Sequence, residues 1–114
     1  MHLKNFSLIT KNNKILLSPA YDLLNSTIAQ PKTKEEMALP LRGRKNNLAK
    51  RDLYKYLAVD LLHLNEKVIE SVSKDFQKTI PTWFNLIEQS FLSKLMQEKY
   101  LNLLKERCER LELI

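Results

Sequence analysis

Hydrophobic positions follow two different repeats along the chain, and the change comes at Leu48. Residues 6–10 are strand-like, with Phe6, Leu8 and Thr10 on one side and Ser7 and Ile9 on the other, and residues 15–17 form a second apolar run. Between them, residues 11–14 hold two adjacent asparagines, a residue type that tolerates the positive φ of a tight turn. Pro19 then ends the second strand, because proline has no N–H for a strand ladder. This pattern predicts a small N-terminal β-hairpin, which needs a surface to pack on.

From Leu48 onward the apolar residues recur at helical spacing. Asn65 and Ser93 stand where helix N-caps are expected. Residues 79–81, Thr-Ile-Pro, have the pattern of a further helix start, because proline is tolerated in the first turn. Trp83, Phe84 and Phe91 are expected in the core, and Cys108 as a buried thiol. The apolar stripes of these helices are Leu53, Leu57 and Leu61; Val68, Ile69, Val72 and Phe76; Trp83, Phe84, Ile87 and Phe91; Met96, Tyr100, Leu103, Leu104, Cys108 and Leu111.

The predicted fold is mainly α, with a small N-terminal β-hairpin packed on a bundle of about four helices. A chain of 114 residues fits one domain with a core of ordinary size. We divide this domain into a hairpin region at 1–24, an irregular basic loop at 25–47 and a helical part at 48–114. The helical part is expected to supply most of the core.

The composition excludes several classes of protein. The single cysteine, Cys108, cannot form an internal disulfide, and the Cys and His residues lack metal-site spacing. A reducing, cytoplasmic location therefore fits best. No apolar run reaches membrane-spanning length and no signal peptide is recognised, so no membrane partner is expected. Gly43 is the only glycine, which excludes a glycine-rich phosphate loop within these residues.

The formal net charge of +6 is concentrated in one region. Such a stretch attracts nucleotides, nucleic acid or an acidic partner, and it is equally typical of a solvated loop and helix start. Three acidic residues, Glu35, Glu36 and Asp52, oppose its cations. These are Lys32, Lys34, Arg42, Arg44, Lys45, Lys50, Arg51 and Lys55.

Asn5 and Asp22 are the sharpest candidates for chemistry. A hairpin between them would bring both side chains to one end of the strand pair. Mg²⁺ prefers oxygen ligands, and an amide oxygen with a carboxylate, completed by phosphate oxygens and water, satisfies its octahedral shell. A turn-forming asparagine and a capping aspartate would give the same pattern, so the spacing alone leaves both interpretations open.

The other candidates are weaker. Lys4 has the charge to neutralise a phosphoryl group, although a lysine near the N-terminus is also commonly solvated. His2 is a possible base or loop support, or a structural residue at the chain end. His63 follows an apolar cluster and is expected at a helix end. The serines have no His or Asp companions that would activate a nucleophile, so hydrolase chemistry has no support.

Two motifs and the hairpin between them resemble a known family. Residues 2–7, His-Leu-Lys-Asn-Phe-Ser, and residues 17–24, Leu-Ser-Pro-Ala-Tyr-Asp-Leu-Leu, are similar to the C-terminal lobe of HipA-like serine/threonine kinases. These kinases are toxins of type II toxin–antitoxin modules, with a pattern of roughly D-x-H-x-K-N-F-S, a hairpin and L-[ST]-P-x-Y-D. Residues 39–53 resemble the family's glycine-containing basic stretch and following helix, and residues 90–111 its terminal helices. The resemblance thus covers essentially the whole chain.

The resemblance implies a kinase that transfers the γ-phosphate of ATP to a hydroxyl of a translation-related protein. It implies that Asn5 and Asp22 coordinate Mg²⁺, that Lys4 lies near the transferred phosphate and that His2 supports the loop. The implied partner is a helix-turn-helix antitoxin, so that DNA would be engaged only indirectly.

The chain departs from the family pattern at its first residue. Kinase catalytic loops place the proton-accepting aspartate five residues before the metal-binding asparagine, and counting back from Asn5 reaches the position just before Met1. The ATP-covering lobe is missing too. We therefore expect a fragment that is inactive alone and binds Mg²⁺ and ATP weakly. It would pair with the missing N-terminal kinase portion, an antitoxin or a second copy. The alternatives are a non-catalytic helical interaction module and a basic nucleic-acid binder.

Overall fold

A computed structural model describes residues 3–30 and 35–114. The described residues confirm a mainly α fold with a small N-terminal hairpin. The chain divides into two compact units, residues 1–47 and 48–114. The elements in order are a 3₁₀ turn Leu3–Asn5, strands β1 Leu8–Lys11 and β2 Lys14–Leu17, helix α1 Ser26–Ala29, a π-helix Asp52–Leu61, and helices α2 Glu66–Glu88 and α3 Lys94–Arg110.

The hairpin forms because its turn residues suit a two-residue connection. Asn12 and Asn13 both have positive φ, 52° and 58°, as the turn type that matches the twist of paired strands requires. The antiparallel register places Leu8 opposite Leu17 and Thr10 opposite Ile15. Strand β1 begins at Leu8, two residues later than the strand predicted to start at Phe6.

The remainder of the first unit is short and irregular. Asn25 caps α1, its side-chain oxygen accepting a hydrogen bond from the backbone N–H of Ile28 at 3.4 Å. Leu41 and Arg44 exchange two backbone hydrogen bonds across a tight turn, at 2.8 and 3.0 Å. Gly43 lies within this turn at φ +73°, a conformation that glycine adopts without strain. The predicted basic loop therefore contains a second tight turn.

The second unit begins with a helix whose hydrogen bonding differs from that of an α-helix. Asp52, only 2% exposed, accepts a hydrogen bond from the backbone N–H of Ala49 at 3.0 Å and so satisfies a donor at the helix start. Asp52 is the first of the ten residues of a π-helix, Asp52–Leu61, which is closed by the bond from Leu62 N to Leu57 O at 3.0 Å. π-Helices of this length are rare. The helix ends before His63, which has φ +52°, in agreement with the predicted helix end.

Helix α2 corrects one prediction. A helix start was predicted at residues 79–81, whereas one continuous helix runs over Glu66–Glu88 with Pro81 in its interior. The apolar repeat explains the continuity, because Phe76, Ile80 and Trp83 lie on one helical face and Ile80 is 2% exposed. The Phe76 and Trp83 rings pack edge to face, with centroids 5.8 Å apart. Burial of Ile80 outweighs the hydrogen bond that proline cannot make.

Phe91 was expected on the third apolar stripe, and this is also wrong. Helix α2 ends at Glu88, so the helical repeat stops before it reaches Phe91. The phenylalanine lies in the connection to α3 and is fully exposed. Helical spacing does not predict which residues share a face beyond the end of a helix, because the backbone there no longer turns at 100° per residue.

Helix α3 packs on α2 through a buried polar side chain. Gln97 is 6% exposed, and its amide nitrogen donates to the carbonyl oxygens of Glu88 and Ser90, at 3.1 and 3.0 Å. These bonds satisfy carbonyl groups at the end of α2. The predicted N-caps of both helices are confirmed. Asn65 accepts from Val68 N at 3.0 Å, and Ser93 accepts from Met96 N at 3.4 Å.

The second unit leaves an apolar groove between its helices. The groove has a volume of about 410 Å³, and its walls include Leu57 of the π-helix, Val72 and Trp83 of α2, and Leu104 of α3. Arg107 also lines it. Within residues 3–30 and 35–114, no helix is long and apolar enough to span a membrane.

Candidate metal centre

Asn5 and Asp22 meet in the first unit, as the hairpin predicts. The amide nitrogen Nδ2 of Asn5 donates a hydrogen bond to Oδ2 of Asp22, and the two atoms are 2.9 Å apart. Asn5 is 7% exposed, whereas Asp22 is exposed to solvent. The side chain of Asn5 is therefore held in place by its surroundings, whereas that of Asp22 is accessible to a ligand.

The hairpin brings the two residues together across 17 positions of sequence. Beyond the last strand pair, the backbone N–H of Ser18 donates to the carbonyl oxygen of Ser7 at 2.8 Å, and their hydroxyl oxygens lie 3.0 Å apart. These bonds continue the ladder past the ends of β1 and β2. They hold the segment that follows Asn5 beside the segment that precedes Asp22.

A tyrosine forms a second link between the same segments. The hydroxyl of Tyr21 donates to the backbone carbonyl of Lys4 at 3.2 Å, so each partner is the immediate neighbour of a site residue. Asp22 itself has φ +54°, in the left-handed region. Aspartate and asparagine tolerate this region better than other residues with a Cβ, which suits an acidic residue at this position.

The geometry of the pair fits a small divalent cation. A half-turn of the Asn5 carboxamide exchanges its nitrogen and oxygen, because the two are assigned from the hydrogen bond they make. An oxygen would then lie 2.9 Å from Asp22 Oδ2. Adjacent oxygens around Mg²⁺, with bonds of 2.0–2.1 Å, are about 3 Å apart. In that orientation the pair would supply two neighbouring ligand positions, and phosphate oxygens and water would have to fill the others.

The remaining candidates are placed as follows. Lys4 lies in the 3₁₀ turn beside Asn5 and its side chain is exposed. His2 lies outside the described residues. Across the part of the chain that the structure describes, no group of three or more His, Cys, Asp or Glu side chains forms a metal site. Among the described residues, a cation held by Asn5 and Asp22 would therefore have no site of three such side chains around it.

Tyr21 is the residue that sequence reasoning passed over. It belongs to the motif around Asp22, and no periodic pattern in the sequence indicates its contact with Lys4. Its position directly before a candidate ligand was the available clue. Cys108 is 3% exposed in the second unit, and burial raises the pKa of its thiol, as expected for an inert core cysteine.

The basic stretch is less free than its composition indicates. Lys45 pairs with Glu35 at 3.2 Å, Lys50 with Glu112 at 2.7 Å and Lys55 with Asp60 at 2.6 Å; Lys32 and Lys34 lie outside the described residues. The hydrogen bond to Glu112 raises the pKa of Lys50. Three cations of the stretch are therefore engaged within the chain itself.

A comparison with protein families agrees with the motifs. Residues 1–84 match the HipA-like C-terminal domain, which is more than half of the chain and includes both candidate ligands. The chain belongs to the HipA-like C-terminal domain family. The match ends within α2, so the resemblance of residues 90–111 to the terminal helices of HipA-like proteins stays a prediction. No curated protein matches the chain.

Proposed function

We propose that this HipA-like chain is the metal-holding part of a serine/threonine kinase lobe. The observation that carries the proposal is the 2.9 Å hydrogen bond from Asn5 Nδ2 to Asp22 Oδ2, because it brings an amide and a carboxylate together at one point, where a half-turn of the amide would present two oxygens to a cation. Family membership supports the assignment, because both residues lie in the matched region. In this role the chain would receive Mg²⁺ together with ATP, and the cation would neutralise charge on the phosphate groups.

The proposed roles of Asn5, Asp22 and Lys4 differ because their side chains differ in exposure to solvent. Buried Asn5 provides a fixed ligand, and exposed Asp22 provides the negative charge that attracts a cation. Lys4, exposed beside Asn5, is placed to draw phosphate toward the pair by charge. The substrate hydroxyl is expected to come from a translation-related protein, as the resemblance to HipA-like kinases implies.

The proposed role leaves two parts of a kinase site unassigned within these 114 residues. Asp22 is the first acidic residue in the sequence, and the proton acceptor for a substrate hydroxyl is not assigned to any of these residues. Gly43 is the only glycine, so a glycine-rich phosphate loop is absent from these residues. Loss of a general base costs about 10²- to 10⁴-fold in rate. We propose that the polypeptide does not transfer phosphate by itself and acts together with the residues that complete the lobe.

Binding of Mn²⁺, which substitutes for Mg²⁺ and is visible by electron paramagnetic resonance, tests the metal assignment. The polypeptide is titrated with Mn²⁺ in the presence of a non-hydrolysable ATP analogue. We expect Asp22→Asn to weaken Mn²⁺ binding about tenfold or more, because it removes the charge of the proposed Asn5–Asp22 pair while keeping the shape of the side chain.

Asp60→Asn is the matched control. It neutralises an exposed aspartate in the second unit that pairs with Lys55, and we expect it to leave Mn²⁺ binding within about twofold of the unchanged chain. Equal loss in both variants would assign the binding to general negative charge and would refute the site. Transfer of radiolabelled phosphate that survives Asp22→Ala would also refute it.

A second candidate function is partner binding by the helical unit. The apolar groove of about 410 Å³ favours it, because its walls present aliphatic and aromatic side chains to solvent. A helix-turn-helix antitoxin is the partner that the family resemblance implies. Such a protein would bury an apolar helix face in the groove.

Calorimetry with a helix-turn-helix protein encoded beside the gene tests this second function. Leu104→Glu places a charge in the groove wall and should weaken binding by about tenfold or more. Leu95→Glu, on an exposed position of α3, is the matched control and should have little effect. Binding that is unchanged by Leu104→Glu would exclude the groove as the contact surface.

A further inference from the structure

We propose that Tyr21 is a positioning residue for the cation site, acting through the backbone of Lys4. The inference rests on the proposed function, since it concerns the same pair of ligands. It adds a residue whose hydroxyl does not touch the cation but fixes the distance between the two groups that would.

The hydrogen bond between Tyr21 and Lys4 joins the two segments directly beside the proposed ligands. Tyr21 directly precedes Asp22, and Lys4 directly precedes Asn5. A bond between the Tyr21 hydroxyl and the Lys4 carbonyl, 3.2 Å long, therefore closes a small ring with the bond between the Asn5 and Asp22 side chains. Each bond limits the sliding of one segment past the other, which the side-chain contact alone could not prevent.

The strand ladder does not perform this task by itself. Its last backbone bond joins Ser18 to Ser7, so it lies two residues beyond Asn5 and four residues before Asp22. The intervening segment, residues 18–22, belongs to neither strand. Without the tyrosine, the irregular segment that carries Asp22 would be fixed only at Ser18. The hydrogen bond of Tyr21 fixes its other end.

The backbone of Asp22 makes this tie necessary. Its φ of +54° is a conformation that a residue with a Cβ leaves readily unless neighbouring contacts hold it. Two hydrogen bonds hold it: the one from Asn5 to its own side chain and the one made by Tyr21, one residue earlier. When a cation replaces the Asn5 bond, the Tyr21 bond is the one that remains to keep Asp22 in place.

Tyr21→Phe is the direct test, because it keeps the ring and removes only the hydroxyl. The first readout is the pair of carboxamide proton resonances of Asn5 in nuclear magnetic resonance spectra without metal, assigned by their disappearance in Asn5→Asp. We expect the shift difference between the two protons to shrink toward that of free asparagine. The second readout is the Mn²⁺ dissociation constant with the ATP analogue, which we expect to rise about two- to fivefold.

Tyr54→Phe is the matched control. The Tyr54 hydroxyl also makes one hydrogen bond, with Ser73 at 2.7 Å, but it lies in the second unit. We expect it to change neither readout, while thermal melting shows that both variants stay folded.

The two readouts separate failure of this inference from failure of the proposed function. Unchanged Asn5 resonances and unchanged Mn²⁺ affinity in Tyr21→Phe would overturn the positioning role. Altered Asn5 resonances with no Mn²⁺ binding by any variant would support the positioning of Asp22 and would refute the metal site. Equal effects of Tyr21→Phe and Tyr54→Phe would attribute the change to general destabilisation and would overturn the inference.

Discussion

At the scale of single residues, Asp22 combines a candidate chemical role with an uncommon backbone conformation. Its carboxylate contacts Asn5 while its φ is +54°. Substitutions can separate these two properties, because asparagine shares the tolerance for this conformation and alanine does not. The residue therefore gives a sharper test than a simple loss-of-function variant.

We predict that Asp22→Asn leaves the free energy of unfolding within about 0.5 kcal/mol, whereas Asp22→Ala lowers it by about 1 kcal/mol because alanine is strained at positive φ. Urea denaturation of both variants measures the difference. Equal stability of the two would show that the conformation of residue 22 is not under strain, although both variants should lose the cation.

Cys108 supports a prediction about reactivity. Burial raises the pKa of its thiol, so the reactive thiolate is disfavoured in the folded protein. We expect slow reaction with a thiol reagent at pH 8 under native conditions and fast reaction in urea. Because the pKa is raised in the folded state, the thiol favours folding below its unfolded pKa and loses that contribution as pH rises through the folded value. Fast native labelling would contradict burial of this residue.

At the scale of elements, the sequence predicted what depends on local chemistry. The Asn-Asn turn, the caps at Asn65 and Ser93 and the change to helical spacing all have local causes, and the structure confirms them. The π-helix and the continuity of α2 have tertiary causes. Leucines four residues apart do not distinguish i→i+4 from i→i+5 bonding, and proline predicts a helix start unless the burial of Ile80 and its neighbours is known.

Pro81 gives the prediction for an element. It is exposed and lies inside α2, where it removes a backbone hydrogen bond to the carbonyl of Gln77. We expect Pro81→Ala to raise the free energy of unfolding by about 1–3 kcal/mol, as measured by urea denaturation. Thr82→Ala, at the next exposed position, should change it by less than about 1 kcal/mol. A destabilised Pro81→Ala variant would mean that α2 needs the proline for its shape.

The candidate site could be predicted from the sequence only where it depends on local structure. The pairing of Asn5 with Asp22 followed from the hairpin, since strands of equal length bring their outer ends together. The Tyr21 contact could not be predicted, because it joins a side chain to a backbone carbonyl across an irregular segment. Such contacts depend on coordinates and leave no repeat in the sequence.

At the scale of the whole molecule, charge is divided unevenly. Residues 1–47 hold eight lysines and arginines against three acidic residues, whereas the helical part is nearly balanced. A nucleic-acid binder would use this excess and would lose affinity steeply with added salt. We predict only weak binding to duplex DNA, lost by about 0.15 M salt, since Lys45 in this part and Lys50 and Lys55 just after it are already paired with carboxylates. Salt-resistant DNA binding in fluorescence anisotropy would favour the nucleic-acid alternative.

The most direct test of the central claim is paramagnetic broadening by Mn²⁺ in a nitrogen–proton correlation spectrum of the whole polypeptide. Broadening by a bound Mn²⁺ falls off steeply with distance, so it reports where the cation sits. Convergence of Asn5 and Asp22 on one cation predicts that the resonances of residues 4–6 and 21–23 broaden first, and that Asp22→Asn abolishes this selectivity. Broadening that begins elsewhere, or that is the same in Asp22→Asn, would contradict the account.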